Sequence, residues 1–323
     1  MTEREQQDIV PIAQRDPRIR TNFVQANGLR FEVDQCGEGD KLALCLHGFP
    51  EHSFSWRYQL PMLADLGYQA WAPNLRGYGH SSRPEGVSAY ALEYLLEDVA
   101  ALIDTADPKE TVLLAHDWGA VIAWYFAIRQ VRPLHRLVIC NVPHPQSMQQ
   151  GLNWEQLKRS WYIFFFQIPG LAEAMLGRRD GEALKNIMRS SAVDKSRFPT
   201  EVGEVYWRNA MQPGALTAMV NYYRALVRGG GAKRQREQGL PVIDTPTLMV
   251  WGEDDVALTK ETTYGTEHYV SDLTIRYLPR VSHWVQQEQP EVVNAMIEAF
   301  LTAQPVPELK WQAQLEQPQE KTA

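Results

Sequence analysis

Short apolar runs alternate with helical patterns along most of the chain, and this alternation restricts the fold more than any other feature. Leu42 to Leu46 (LALCL) is the clearest run, continuous and apolar, as in a central strand buried on both faces. Before it, Asn27-Gly28 separates TNFVQ from LRFEV and predicts a hairpin. Residues Gly37 to Asp40 supply the next turn. After it, a helical pattern at Trp56–Leu66 precedes a strand at Tyr68–Ala72. A helix at Tyr90–Ile103 precedes a strand at Val112–Ala115, and a helix at Ala120–Ile128 precedes a strand at Arg136–Asn141.

From Pro143 to Gln238 the strand signals vanish, and aromatic helical segments appear with Gly and Pro breaks. Gly229-Gly230-Gly231, followed by Lys233, Arg234 and Arg236, reads as an exposed connection. Alternation resumes with strands at Thr247–Trp251 and Leu273–Leu278 and a closing helix at Glu291–Leu301. The expectation is an α/β fold: a mostly parallel central sheet flanked by helices, with right-handed crossovers and one inserted helical unit. The core is expected at 21–143 and 239–303, the insertion at 144–238, and polar tails at 1–20 and 304–323.

Composition narrows the function classes. Of 323 residues, 44% are hydrophobic and 22% charged, which suits a globular chain and excludes a disordered or fibrous one. Thirty-two basic against 39 acidic residues leave a net charge of −7 with no basic stripe, so no nucleic-acid partner is expected. Cys36, Cys45 and Cys140 are odd in number and widely spaced, which fits neither a disulfide framework nor a zinc site. Met1 to Arg20 lacks an apolar signal region, and Trp161 to Phe166 is too short to span a bilayer. The expected location is the cytoplasm, away from membranes, as a monomer or homodimer.

Four pieces carry chemistry. In LLAHDWGAVIAW (Leu113–Trp124) a strand runs into Ala115-His116-Asp117-Trp118-Gly119 and a helix starts at once. Such an elbow pushes one side chain, here Asp117, to the top of the sheet. The plainer alternative is Asp117 as the N-cap of the next helix. His47-Gly48-Phe49-Pro50 follows the strand Leu42–Leu46, where a loop can offer an N–H to an oxyanion. The donors would be the amides of Phe49 and Trp118, and Pro50 permits a cis Phe49–Pro50 bond. The alternative is an ordinary turn. Trp251-Gly252-Glu253-Asp254-Asp255 ends a strand, so Asp254 and Asp255 compete to orient a histidine, and at least one of them is a solvated turn residue. His283, in Ser282-His283-Trp284, comes last in the order nucleophile, acid, histidine.

Together these blocks resemble the α/β-hydrolase superfamily and, within it, the epoxide hydrolases. The resemblance rests on HGFPE (His47–Glu51), HDWGA (His116–Ala120), NVPHP (Asn141–Pro145), WGEDD (Trp251–Asp255) and SHWVQQE (Ser282–Glu288), and covers about residues 21–302. It implies an α/β-hydrolase fold with the insertion as a cap carrying two tyrosines. Tyr162 stands in WYIFFFQIPG, and Tyr223, with Tyr222 as its competitor, stands in NYYRAL. Without the resemblance both stretches read as aromatic core helices. It also selects Asp255 over Asp254.

The implied chemistry suits these groups. A carboxylate, Asp117, displaces at an epoxide carbon and forms an ester. The leaving oxygen needs a proton donor, which two tyrosines supply because their ordinary pKa of about 10 keeps them protonated. His283, oriented by Asp255, then activates water against the ester, giving a vicinal diol. Glu51 and His116 flank the two key loops and are candidates for placing that water, with loop hydrogen bonding as the equal alternative. His144 is expected to anchor the entry to the cap. The expected partners are a small-molecule epoxide and water. The chemistry calls for no cofactor, and the eight His show no metal-ligand spacing. Two rivals remain: a haloalkane or haloacid dehalogenase, with the Trp118 indole as halide donor, and a non-catalytic binding protein of the same fold. Phe49 stands where such a dehalogenase would carry its second donor, and every expected catalytic position is filled, which disfavours both rivals.

Overall fold

The computed structural model describes residues 15–229 and 239–309. The basic part of the glycine-rich connection therefore lies outside the described residues, as do the ends of both tails. Eight strands form one sheet: β1 (Arg20–Ala26), β2 (Leu29–Cys36), β3 (Lys41–Leu46), β4 (Gln69–Pro73), β5 (Glu110–His116), β6 (Arg136–Cys140), β7 (Thr247–Gly252) and β8 (Leu273–Leu278). Their order is β1-β2-β4-β3-β5-β6-β7-β8. The Asn27-Gly28 hairpin makes β1 and β2 antiparallel, and β2 also runs antiparallel to β4. All other pairs are parallel.

The helices are α1 (Gln59–Asp65), α2 (Leu92–Ala106), α3 (Trp118–Ile128), α4 (Pro145–Gln150), α5 (Trp154–Arg159), α6 (Trp161–Phe165), α7 (Leu171–Leu176), α8 (Arg178–Ser191), α9 (Thr200–Ala210), α10 (Ala215–Arg228), α11 (Val285–Glu288) and α12 (Pro290–Leu301). Between β6 and β7 the described chain is helical from α4 to α10 and adds no strand. Within α8, Arg179, Asp180 and Gly181 have positive φ and break the helix.

Continuous apolar runs become central strands because both faces of the sheet are covered. Leu42, Leu44 and Leu46 enter one core, while Ala43 and Cys45 enter the other. The same alternation holds on β5 (Leu113 against Val112 and Leu114) and on β6 (Ile139 against Val138 and Cys140). Each fully buried leucine contributes about 1.5–3 kcal/mol. All three cysteines are buried thiols. A third core joins the insertion to the sheet's top: Met188, Phe198, Val202 and Tyr206 pack with Phe54 and Trp284.

Where the tail segments are described, Ile19 is buried, and Val306 and Leu309 pack against the second core. No helix among the described residues is long and apolar enough to cross a membrane. The parallel register sets Leu46 beside Ala115 and His116 beside Cys140, so the carboxyl ends of β3, β5 and β6 lie side by side. In such sheets that edge is the ligand-binding edge.

Candidate active site

Asp117 occupies the tight turn between β5 and α3 with φ 47° and ψ −120°, a backbone that non-glycine residues seldom adopt. Its side chain does not cap α3. Instead Oδ1 accepts the Phe49 N–H at 2.6 Å, and Oδ2 lies 3.5 Å from His283 Nε2. The two loops meet because their glycines carry no side chain. A Cβ on Gly48 would sit 2.2 Å from Asp117 Cβ, and one on Gly119 would sit 2.3 Å from the Leu46 carbonyl oxygen. The Phe49–Pro50 peptide is cis. His47 locks this loop as a neutral ring. Its Nδ1 faces the Gly48 carbonyl at 2.9 Å and its Nε2 accepts from Leu75 N at 3.0 Å, while burial pulls its pKa down to about 4.

Asp255 is buried and Asp254 is exposed. Asp255 Oδ2 meets His283 Nδ1 at 2.6 Å and also accepts from Asn141 Nδ2 at 2.8 Å. Its Oδ1 accepts the N–H groups of Ala257 and Leu258 at 2.7 and 3.0 Å. With Nδ1 bound to this carboxylate, Nε2 is the ring nitrogen that faces Asp117. Burial alone would disfavour a charged His283, but the carboxylates of Asp255 and Asp117 outweigh it and push the ring up to about 10. Burial likewise opposes ionisation of Asp117 and Asp255, yet His283 and the N–H donors hold both below the usual carboxylate range.

Tyr162 on α6 and Tyr223 on α10 face each other edge to face, 5.8 Å between ring centroids. Tyr223 also packs edge-on against Phe49, Trp118 and Phe166. Burial raises both phenols, and the charge on Asp117 raises them further, so both keep their protons. Tyr222 points elsewhere: its hydroxyl donates to the Arg76 carbonyl at 2.8 Å.

Beneath this group lies a saturated polar pair. Glu51 Oε2 accepts from Gly48 N at 3.0 Å and from His116 Nδ1 at 2.7 Å. Its Oε1 accepts from the side-chain amides of Gln286 and Gln287 at 3.2 and 2.7 Å. His116 Nε2 faces the His283 carbonyl at 2.9 Å. Both nitrogens of His116 thus face acceptor oxygens. Burial opposes the Glu51 charge, but His116 and the Gly48 N–H hold it below the usual range.

Comparison with known proteins shows the family. Residues 43–288 match the family described as the alpha/beta hydrolase fold. Mouse epoxide hydrolase 4 is 36% identical over 302 residues, covering 90% of this chain and 82% of its own. The AB hydrolase superfamily protein YfhM of Bacillus subtilis is 34% identical over 290 residues, covering 88% and 99%. Among solved structures, the epoxide hydrolase of Bacillus megaterium in complex with an inhibitor is 29% identical with a TM-score of 0.80, covering 87% of this chain and all of that one. The epoxide hydrolase VrEH1 of Vigna radiata is 30% identical with a TM-score of 0.73, covering 88% and 98%. The chain belongs to the α/β-hydrolase family and, within it, to the epoxide hydrolases.

In this α/β-hydrolase chain several site neighbours carry no separate signal in the sequence. Asn141, at the end of β6 with φ 48°, donates to Asp255 and accepts the Gly252 N–H at 2.9 Å through Oδ1. It ties β6 to β7 beneath the acid. NVPHP marks the place but gives Asn141 no role. His144 caps α4 and stacks on Tyr269 at 4.9 Å, at the start of the insertion. Gln286, Gln287 and Glu288 have no periodicity that would single them out.

Proposed function

We propose that this chain opens a small-molecule epoxide to a vicinal diol with water, through an ester on Asp117. The observation that carries the reading is the two-sided environment of Asp117. One oxygen is held by the Phe49 N–H, and the other faces the Asp255-bound His283 across 3.5 Å. Oδ1 is thereby committed to the amide, and Oδ2 is the free nucleophile. Oδ2 bonds to one epoxide carbon while that carbon's bond to the epoxide oxygen breaks. The freed oxygen takes a proton from Tyr162 or Tyr223.

His283 is charged while Asp117 is ionised. Forming the ester removes that carboxylate, so His283 keeps Asp255 but loses its second anionic support. The ring then gives up its proton to the phenolate left by ring opening and can act as base when water is needed. His283 Nε2 takes a proton from water, and the hydroxide bonds to the Asp117 carbonyl carbon. Negative charge collects on Oδ1, against the amides of Phe49 and Trp118. One such donor is worth about 3–4 kcal/mol in the transition state. Collapse breaks the Cγ–Oδ2 bond, Oδ2 takes the proton from His283 and leaves in the diol, and the re-formed Asp117 carboxyl gives its own proton to His283.

In this scheme residues 144–238 act as the cap on a core of 21–143 and 239–303. The cap supplies both tyrosines, which sit over an otherwise core-built site. Glu51 and His116 act beneath it, steadying the loops that line the path of the hydrolytic water. Their protein partners account for every one of their polar atoms.

Intact-mass measurement of His283→Gln tests the reading. Incubated separately with styrene oxide and a bromoalkane, the variant should hold a stable adduct with the mass of the whole epoxide, mapping to Asp117. An adduct from the bromoalkane alone, with bromide released, would move the chain to the dehalogenases.

A further inference from the structure

The segment that carries His283 is bound from above by the inserted helices. Trp284 Nε1 donates to Ser191 Oγ at the end of α8, at 2.8 Å. Glu288 Oε1 accepts the Asp194 N–H at 2.6 Å, and its Oε2 accepts from Ser282 N and Ser282 Oγ. A third tie runs through Gln287. Its Oε1 accepts from the Tyr206 hydroxyl on α9 and from Arg57 Nη1, each at 2.7 Å. Two donors on one amide oxygen fix which way the amide points. Its NH₂ group must then face Glu51 Oε1, also at 2.7 Å. A flipped amide would set its oxygen against the Glu51 carboxylate and leave the Tyr206 and Arg57 donors facing an NH₂ group.

We propose that Gln287 and Tyr206 are positioning residues for the ester-hydrolysing half of the reaction, linking the seating of α9 to the backbone of His283. The link runs from the Tyr206 hydroxyl to Gln287, from Gln287 to Glu51, from Glu51 to His116, and from His116 Nε2 to the His283 carbonyl. Each joint is a hydrogen bond between buried groups, where geometry is held tightly and a missing partner is costly. Glu51 also holds the Gly48 N–H, so the same link steadies the loop that presents the Phe49 amide.

The proposal rests on the covalent reading above, and the two half-reactions separate its consequences. Ester formation uses Asp117 Oδ2 and the two phenols and needs no base. Both steps use the Phe49 amide, but ester hydrolysis alone needs His283 in register with the ester carbonyl. Loosening Gln287 therefore acts on the second step.

Single-turnover experiments with excess enzyme and styrene oxide, quenched and read by intact mass, measure both steps. Tyr206→Phe, which removes one hydroxyl and little else, is expected to slow ester hydrolysis about five-fold, the worth of one neutral hydrogen bond. Ester formation should be unchanged, so ester accumulates. Gln287→Leu should slow hydrolysis further. Ser191→Ala, which cuts a tie to the same segment outside this link, should lower the melting temperature without slowing hydrolysis selectively. The proposal is overturned if Tyr206→Phe hydrolyses ester at the wild-type rate, or if it slows both half-reactions alike. If His283→Gln itself forms no ester in this assay, the covalent reading fails and the link falls with it. If His283→Gln forms ester and Tyr206→Phe behaves as wild type, the link alone fails.

Discussion

Asp117 and His283 form a pair whose charge the proposed reaction itself removes, and this fixes the sign of a titration. The His283 ring is pushed up to about 10 against burial, by Asp255 first and then by Asp117. Asp117→Asn removes one of the two anions while keeping the size of the side chain. The His283 imidazole should therefore titrate at lower pH in Asp117→Asn than in wild type. NMR shifts of the ring protons over pH would show it, and an unmoved or raised midpoint would contradict the charge argument. Two neighbouring choices also become decidable at this scale. By residue type alone Asp254 and Asp255 read alike, as do Tyr222 and Tyr223, and only the family resemblance favours Asp255 and Tyr223, because adjacent residues differ only in direction. The structure separates them: Asp255 and Tyr223 face the site, while Asp254 is exposed and Tyr222 bonds to a carbonyl. Tyr223→Phe should slow ring opening, since a positioned proton donor typically supplies roughly 10²–10⁴-fold. Tyr222→Phe should leave ring opening alone and cost about 1 kcal/mol of stability. Stopped-flow measurement of ester formation, with chemical denaturation beside it, tests both halves.

Elements meet at this site through missing side chains, so the loops are as constrained as the strands. A Cβ on Gly48 would overlap Asp117, and a Cβ on Gly252 would lie 2.1 Å from the Ser282 carbonyl oxygen. In both cases the obstruction belongs to a loop that carries a site residue, and backbone or Cβ atoms cannot swing aside. Gly48→Ala should thus abolish most turnover by displacing Asp117 from the Phe49 amide, while the far-UV spectrum stays native. Normal turnover in that variant would mean that the two loops can part without harm. All eight strands were legible: the central ones because a doubly covered strand is apolar at nearly every position, and β1 and β2 because Asn27-Gly28 marks their hairpin. The helical insertion was legible as a loss of that signal. Its internal geometry was not: at the break at Arg179–Gly181 the Asp180 carbonyl accepts from the Trp207 indole, a partner on another helix. The link through Gln287 was equally hidden: its partners Tyr206 and Glu51 are far away in sequence, and glutamine has no pattern of its own.

At the scale of the whole molecule, the insertion and the sheet share a core rather than merely touching. Met188, Phe198, Val202 and Tyr206 pack with Phe54, which follows the β3 loop, and with Trp284, which follows His283. Polar ties at Ser191, Asp194 and Tyr206 surround that cluster and end on the same segment, 282–288. Opening the insertion at this end would expose the cluster and strand buried polar groups, so α8 and α9 should melt together with the sheet. Phe198 tests this, being almost wholly buried and bonded to the site by packing alone. Phe198→Ala should destabilise the fold by about 3–5 kcal/mol, the usual range for removing a buried ring. Unfolding should still be one transition, with far-UV and near-UV signals coincident and the calorimetric and van't Hoff enthalpies equal. Because Phe198 shares this cluster with Trp284, next to His283, ester hydrolysis should slow more than ester formation in this variant. Two separated transitions, with the insertion melting first while the sheet persists, would mean that the shared core is too weak to join them. In that case the insertion would open independently of the His283 segment.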